Sequence, residues 1–254
     1  MSEKLKVGVL DITGCNGCVL SVAFNEDEVL DIFNLVDVQA YRFVSDQATK
    51  EMPEFDVVLL EGMVACPRDL EFLKEVRAHT KVLVSLGCCA HTGNFPAYRK
   101  WADPKDLAHL HHDKIDDIAD VDPTPQDAHV KVDAVIPGCP PNRREVLEVI
   151  KGLVLGKAYR PYTMPVCVEC RRNNNFCLLE ANKPCLGPIT AGGCFAICVN
   201  AGLECWGCRG QTADANLDAF MKMLEGKGFK RDFILERMRT FVGLKIPALE
   251  ATAG

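Results

Sequence analysis

A parallel α/β sheet wound on both faces, followed by a smaller cysteine-rich unit, is the architecture that three features of this 254-residue chain predict. Short apolar runs alternate with stretches of helical periodicity in the N-terminal part. A segment bearing two prolines and a glycine, GKAYRPYTMP at 156–165, then interrupts the pattern. Beyond it the cysteines crowd together, eight of the fourteen falling between Cys167 and Cys208.

The elements follow in order. Lys6–Ile12 is an apolar strand ending in Thr13-Gly14-Cys15, and Val36–Val44 is a second, more polar one. Phe55–Glu61, Lys81–Leu86 and Val132–Ile136 are the third, fourth and fifth, the last running into Pro137-Gly138. Leu70, Leu73 and Val76 mark a helix after the third strand; Val146, Leu147, Ile150 and Leu153 mark one after the fifth. Apolar runs of this length between amphipathic segments predict parallel strands covered on both faces, in the flavodoxin-like manner. The expected domains are residues 1–156 for this sheet and 157–254 for a small irregular and helical unit. Within the second, Leu217, Phe220, Met221 and Leu224 open a helical stretch reaching Val242, in which Met221 and Met223 are expected to pack rather than bind.

Composition narrows the class. A hydrophobic fraction of 48% and a charged fraction of 25% are those of a globular protein and exclude disordered or fibrous chains. A formal charge of −6 argues against nucleic acid as a main partner. No apolar run approaches the roughly 18 residues of a membrane helix, and the start MSEKLKVGVLDI shows neither a signal-peptide pattern nor a twin-arginine pair. A cytoplasmic, reducing setting is therefore expected, where cysteines serve metals or redox chemistry more often than disulfides.

The N-terminal cysteines occupy strand ends. Cys15 and Cys18 follow the first strand, Cys66 the third, Cys88 and Cys89 the fourth, and Cys139 the fifth. The carboxyl ends of parallel strands share one edge, where ligands bind, so residues distant in sequence are expected to converge. Gly14, Gly17, Gly87 and Gly138 beside them allow close backbone approach to a bulky inorganic group. Buried structural thiols are the plainer alternative. Neither G-x-G-x-x-G nor the P-loop pattern occurs.

In the C-terminal part the spacing is C-x2-C-x6-C-x7-C at Cys167, Cys170, Cys177 and Cys185, then C-x3-C-x6-C-x2-C at Cys194, Cys198, Cys205 and Cys208. Each quartet suits one tetrahedral thiolate set, which means zinc or an iron–sulfur cluster. Zinc ribbons pair two C-x2-C knuckles closer together than Cys170 and Cys205 stand, so two cubane clusters are favoured over structural zinc.

Here the chain resembles a family. Cys15-Asn-Gly-Cys18, Glu61-Gly62, Gly87-Cys-Cys-Ala90, Pro137-Gly-Cys-Pro-Pro141, Pro184-Cys-Leu-Gly-Pro-Ile-Thr190 and Cys205-Trp-Gly-Cys208 stand in the order found in NiFe hydrogenase small subunits. The resemblance spans about residue 6 to 210 and is nearest to the cytosolic methyl-viologen-reducing, deazaflavin-reducing and sulfhydrogenase types. It implies three 4Fe-4S clusters: a proximal one on Cys15, Cys18, Cys89 and Cys139, a medial one on Cys194, Cys198, Cys205 and Cys208, and a distal one on Cys167, Cys170, Cys177 and Cys185. Cys89 is preferred to Cys88 because the family pattern G-x-C-A spans Gly87 to Ala90. Cys167 stands where many periplasmic relatives have His, and Cys198 where they have Pro. Full thiolate ligation generally lowers the potential. Each oxidised cluster with its thiolates carries about −2, so a loaded chain would be nearer −12 than −6 by rough count.

The resemblance also implies a function: electrons from hydrogen cleaved in a separate large subunit pass through these clusters to an acceptor subunit, a flavin or iron–sulfur protein. An obligate, largely apolar interface with the large subunit is expected. Cys66 and Cys88 are left over and are expected to be unligated thiols near the first cluster, although Cys66, after the third strand, could approach it, so the choice among Cys66, Cys88 and Cys89 stays open. Glu61 is either a buried polar group near it or a solvated strand end. His109, His111 and His112, within a polar stretch from Lys105 to Asp120, read as a solvated surface insertion, and Arg171-Arg172 as exposed residues or a partner guide. Two other functions stay open: a quinone-oxidoreductase-like electron-transfer subunit without hydrogenase activity, and a zinc-stabilised scaffold.

Overall fold

β-branched residues and leucines fill β1 (Leu5–Asp11), β2 (Val36–Tyr41), β3 (Phe55–Glu61), β4 (Thr80–Leu86) and β5 (Ala134–Ile136). They form one parallel sheet in the order β2-β1-β3-β4-β5, with Val9 beside Leu59 and Leu59 beside Val84. This is the flavodoxin-type order. The computed structural model describes residues 4–23, 28–41, 43, 52–101, 122–157, 159–242 and 245–246. It divides into two compact units, Met1–Arg160 and Pro161–Gly254. His109, His111 and His112, the polar stretch around them, and the last residue of the expected second strand lie outside the described residues.

Alternation along the strands decides the two faces. Val7, Val9, Val57, Leu59, Val84, Leu86 and Ile136 point to one side. There they pack with Val19 and Val22 of the Gly17–Ala23 helix and with Val146, Leu147, Val149 and Ile150 of the Arg143–Val154 helix. Val58, Leu60 and Leu83 point to the other side, against Leu73 and Val76 of the Pro67–Ala78 helix. Helices thus cover both faces. Asn142 caps the Arg143–Val154 helix, its side chain accepting from the N–H of Arg144 at 2.9 Å.

The Pro161–Gly254 unit has its own core. Val166, Leu186, Ile189, Phe220, Met221, Leu224, Ile234 and Met238 pack together with Cys170, Cys185 and Cys205. The expected C-terminal helical stretch is two helices, Leu217–Gly226 and Arg231–Val242, separated where Gly228 takes a left-handed φ of 90°. Met221 is buried in the core while Met223 is 37% exposed, and Arg171 and Arg172 are exposed. Among the described residues, no helix is long and apolar enough to cross a membrane.

Two substitutions probe this packing. Leu83 is fully buried, so Leu83→Ala should cost about 2–5 kcal/mol. Gly152 sits in a helix with nothing within 4 Å of an added Cβ, so Gly152→Ala should gain about 0.5–1 kcal/mol. Urea denaturation midpoints should fall for the first and rise for the second.

Candidate metal centres

The loops after β1, β3, β4 and β5 meet at the carboxyl edge of the sheet. Backbone hydrogen bonds join them: Ile12 N donates to Glu61 O at 3.0 Å, Met63 N to Thr13 O at 2.9 Å, and Cys88 N to Gly138 O at 2.8 Å. The last of these holds the Cys139 loop against the Gly87–Thr92 helix that carries Cys89. Gln126, fully buried, donates to Leu60 O and Gly62 O and accepts from Ser85 Oγ, satisfying the carbonyls where β3 ends. Tyr41 Oη donates to Val19 O at 2.8 Å and pins the helix bearing Cys18 to β2.

Four thiols converge on this edge. Cys18 is buried, and the thiols of Cys89, Cys139 and Cys15 all act on it electrostatically. Asn94 Nδ2 donates to Cys89 Sγ at 3.1 Å and to Cys139 Sγ at 3.6 Å, so one amide serves two sulfurs. Burial pushes the Cys89 thiol up to about 11, against the opposing bond from Asn94. Burial likewise raises Cys18 and Cys139, and the neighbouring thiols add to it. Gly87 lines the group: its φ is 90°, and an added Cβ would lie 2.2 Å from Cys18 Sγ. Gly138, at φ 135°, would bring a Cβ to 2.9 Å from Pro140 O.

Glu61 lies under these sulfurs. It is fully buried, not a solvated strand end. Its Oε2 accepts from Val19 N at 2.7 Å and its Oε1 from Cys15 Sγ at 3.9 Å. Burial raises its carboxyl above the usual range, opposed by the N–H groups of Val19, Asn16 and Cys18. The two leftover cysteines stand differently. Cys88 is buried with its Sγ 3.0 Å from Thr92 Oγ1. Cys66 caps the Pro67–Ala78 helix in a reciprocal box with Asp69, whose carboxylate also accepts from Thr13 Oγ1 at 2.7 Å.

The C-terminal thiols form a second sulfur-rich region. Cys167 is raised to about 12, first by burial and then by Cys185, Cys170 and Cys177. Gly187 leaves room beside them, since an added Cβ would lie 3.2 Å from Cys167 Sγ and 3.5 Å from Cys185 Sγ. In the other quartet burial raises Cys205, Cys198 and Cys194. Phe195 and Ala196 are both left-handed, at φ 57° and 53°, and the N–H groups of Ala196 and Ile197 are directed at Cys194. Glu169 accepts from Gly193 N at 2.7 Å and from Cys194 Sγ at 3.9 Å, while Arg209 Nε donates to Gly192 O at 2.6 Å and holds the same loop. The two quartets touch: Cys205 N donates to Cys185 Sγ at 3.3 Å.

Asn94, Gln126, Glu169 and Arg209 escape a reading of the sequence, because single polar residues carry no spacing signal. The donor sets themselves suit iron–sulfur clusters. Several thiols buried together resist losing their protons one beside another, and bound cations reverse that preference. N–H groups aimed at sulfur are the usual supporting contacts. Among the described residues, no three of His, Cys, Asp or Glu stand close enough together to hold one metal ion.

The chain is similar to several known proteins. The family model described as NADH ubiquinone oxidoreductase, 20 Kd subunit, matches residues 15–153. The Sulfhydrogenase 2 subunit delta of Pyrococcus furiosus is 34% identical over 247 residues, covering 93% of this chain and 99% of that one. An F420-non-reducing hydrogenase subunit from Methanothermobacter marburgensis is 28% identical, covering 84% of this chain and 80% of its own length. Among solved structures, a chain of an NAD+-reducing [NiFe]-hydrogenase in the H2-reduced state matches with a TM-score of 0.54 and 26% identity, covering 63% of this chain and 97% of that one. The family model takes in more than half of the chain and the sulfhydrogenase relative nearly all of it, and the chain therefore belongs to the NADH ubiquinone oxidoreductase 20 kDa subunit family, among the small subunits of heteromeric NiFe hydrogenases.

Proposed function

We propose that this chain is the electron-relay subunit of a cytoplasmic NiFe hydrogenase, working between a large subunit that cleaves H2 and a further acceptor subunit. The observation that carries the reading is the convergence of Cys15, Cys18, Cys89 and Cys139 around the Gly87 cradle at the carboxyl edge of the sheet. These four would hold the proximal 4Fe-4S cluster. Cys194, Cys198, Cys205 and Cys208 would hold the medial one, and Cys167, Cys170, Cys177 and Cys185 the distal one. The first then belongs to a domain of residues 1–156 and the other two to 157–254. When bound, such clusters supply reversible one-electron chemistry.

The chain's own residues do the rest. The thiols supply anionic ligands. Asn94, the Cys205 peptide N–H and the N–H groups of Ala196 and Ile197 donate to sulfur, which favours the thiolate forms and steadies their orientation. Gly87 leaves the cradle unfilled. Glu61 places a buried carboxyl beside Cys15, at the first of the three proposed sites. The names of the relatives point to different acceptors, so the acceptor subunit belongs to the assembly rather than to this chain.

Iron and acid-labile sulfide analysis of the anaerobically purified chain should give about twelve of each per chain; zinc with no sulfide overturns the reading. Cys139→Ala should remove about four irons and abolish H2-driven viologen reduction, whereas Cys88→Ala should keep all twelve. Full dye reduction by the Cys139 variant would show the ligand set to be wrong. Gly87→Ala, which combines a left-handed φ with a Cβ overlapping Cys18 Sγ, should lose about four irons, and retention of all twelve would place the cluster elsewhere.

A further inference from the structure

Arg237 lies on the Arg231–Val242 helix and is only 6% exposed. Its guanidinium carbon sits 3.6 Å from the centroid of the Trp206 ring, the residue that follows Cys205. Stacking accounts for the flat face of the group but not for its N–H edge. Nε and Nη2 are buried and have no hydrogen-bond partner among the described residues. Its helix neighbours in the core, Ile234, Leu235 and Met238, are apolar. A buried cation with two unused donors is costly unless an anion meets it.

The anionic groups acting on Arg237 are Glu204 and the thiols of Cys185 and Cys205. Cys185 and Cys205 belong to different quartets and meet through the Cys205 N–H···Sγ Cys185 bond. Cys205 already receives the Gly207 N–H, while the Thr190 hydroxyl donates to Leu186 O at 2.7 Å. The unmet donors therefore lie beside the seam at which the two quartets meet.

We infer that Arg237 is the internal counter-charge of the cluster sulfur at the Cys185–Cys205 seam, and that it raises the reduction potential of one of the two clusters that meet there. This rests on the proposed three-cluster reading. Adding one electron takes a 4Fe-4S core with four thiolates from about −2 to about −3. A fixed neighbouring cation stabilises the more negative state and so favours reduction. Trp206 holds the guanidinium flat and shields it from water on one side.

An EPR-monitored redox titration of the full chain, isolated anaerobically with the subunits that copurify, tests this in Arg237→Gln and Arg237→Lys. In Arg237→Gln one couple should lose about tenfold in its reduced-to-oxidised ratio at fixed potential, about 59 mV downward for a one-electron couple. The other couples should stay within twofold, iron content should not change, and Arg237→Lys should restore the shifted couple to within about threefold. Unchanged potentials in Arg237→Gln overturn the inference. So does an equal shift in every couple, a shift in Arg237→Lys as large as in Arg237→Gln, or a loss of about four irons per chain, which would assign Arg237 to assembly. A wild-type chain without cluster signals overturns the three-cluster reading and this inference with it, and is seen before any substitution is made.

Discussion

Sulfur withdrawn from water is the constraint on which the rest of this structure depends. At the sheet edge, Cys18, Cys89 and Cys139 are all raised by burial and by the thiols beside them. The same holds for Cys167, raised by burial and by the other three thiols of its quartet. Grouped thiols in this condition cannot all ionise on their own, because each new charge would be desolvated next to another. A polynuclear cation core would remove the conflict, and the surroundings of the thiols suit one. Donors face sulfur, and glycine at position 87 leaves space where any side chain would collide with Cys18.

The fold serves this constraint through its strand ends. A parallel sheet in the order β2-β1-β3-β4-β5 puts the loops after β1, β4 and β5 on one edge. The edge is then stitched by backbone hydrogen bonds, above all Cys88 N to Gly138 O, and by the buried side chains of Gln126 and Tyr41. Cys88 thus contributes its backbone to the arrangement while its sulfur turns to Thr92. Cys66 contributes a helix cap. Neither leftover cysteine is idle, and the role of each is visible only in three dimensions.

Buried charge is distributed with the same logic. Carboxylates approach one thiol in each unit, Glu61 beside Cys15 and Glu169 beside Cys194. Cations balance the C-terminal unit, where Arg209 ties down the Ala191–Gly193 loop and Arg237 stacks on Trp206. Nearby charges and N–H donors to sulfur are among the means by which a protein sets the potential of an iron–sulfur centre. The chain carries both means at the seam between Cys185 and Cys205.

Much of this was legible in the residues alone. Short continuous apolar runs and the amphipathic stretches between them determined the class of sheet, because burial on both faces demands that pattern. Cysteine spacing from Cys167 to Cys208 pointed to sulfur-bound metal, because thiolate ligands must recur at distances a loop can close, and the ordered motifs from Cys15 to Cys208 determined the family. What the tertiary structure alone decided was which groups surround the sulfurs. Asn94 bridging Cys89 and Cys139, Glu61 fully buried rather than solvated, and Arg237 lying against Trp206 rather than in water all depend on contacts between elements distant in sequence. No periodicity encodes such contacts: hydrogen bonds and desolvation act over a few ångströms in space, and only the folded chain sets those separations.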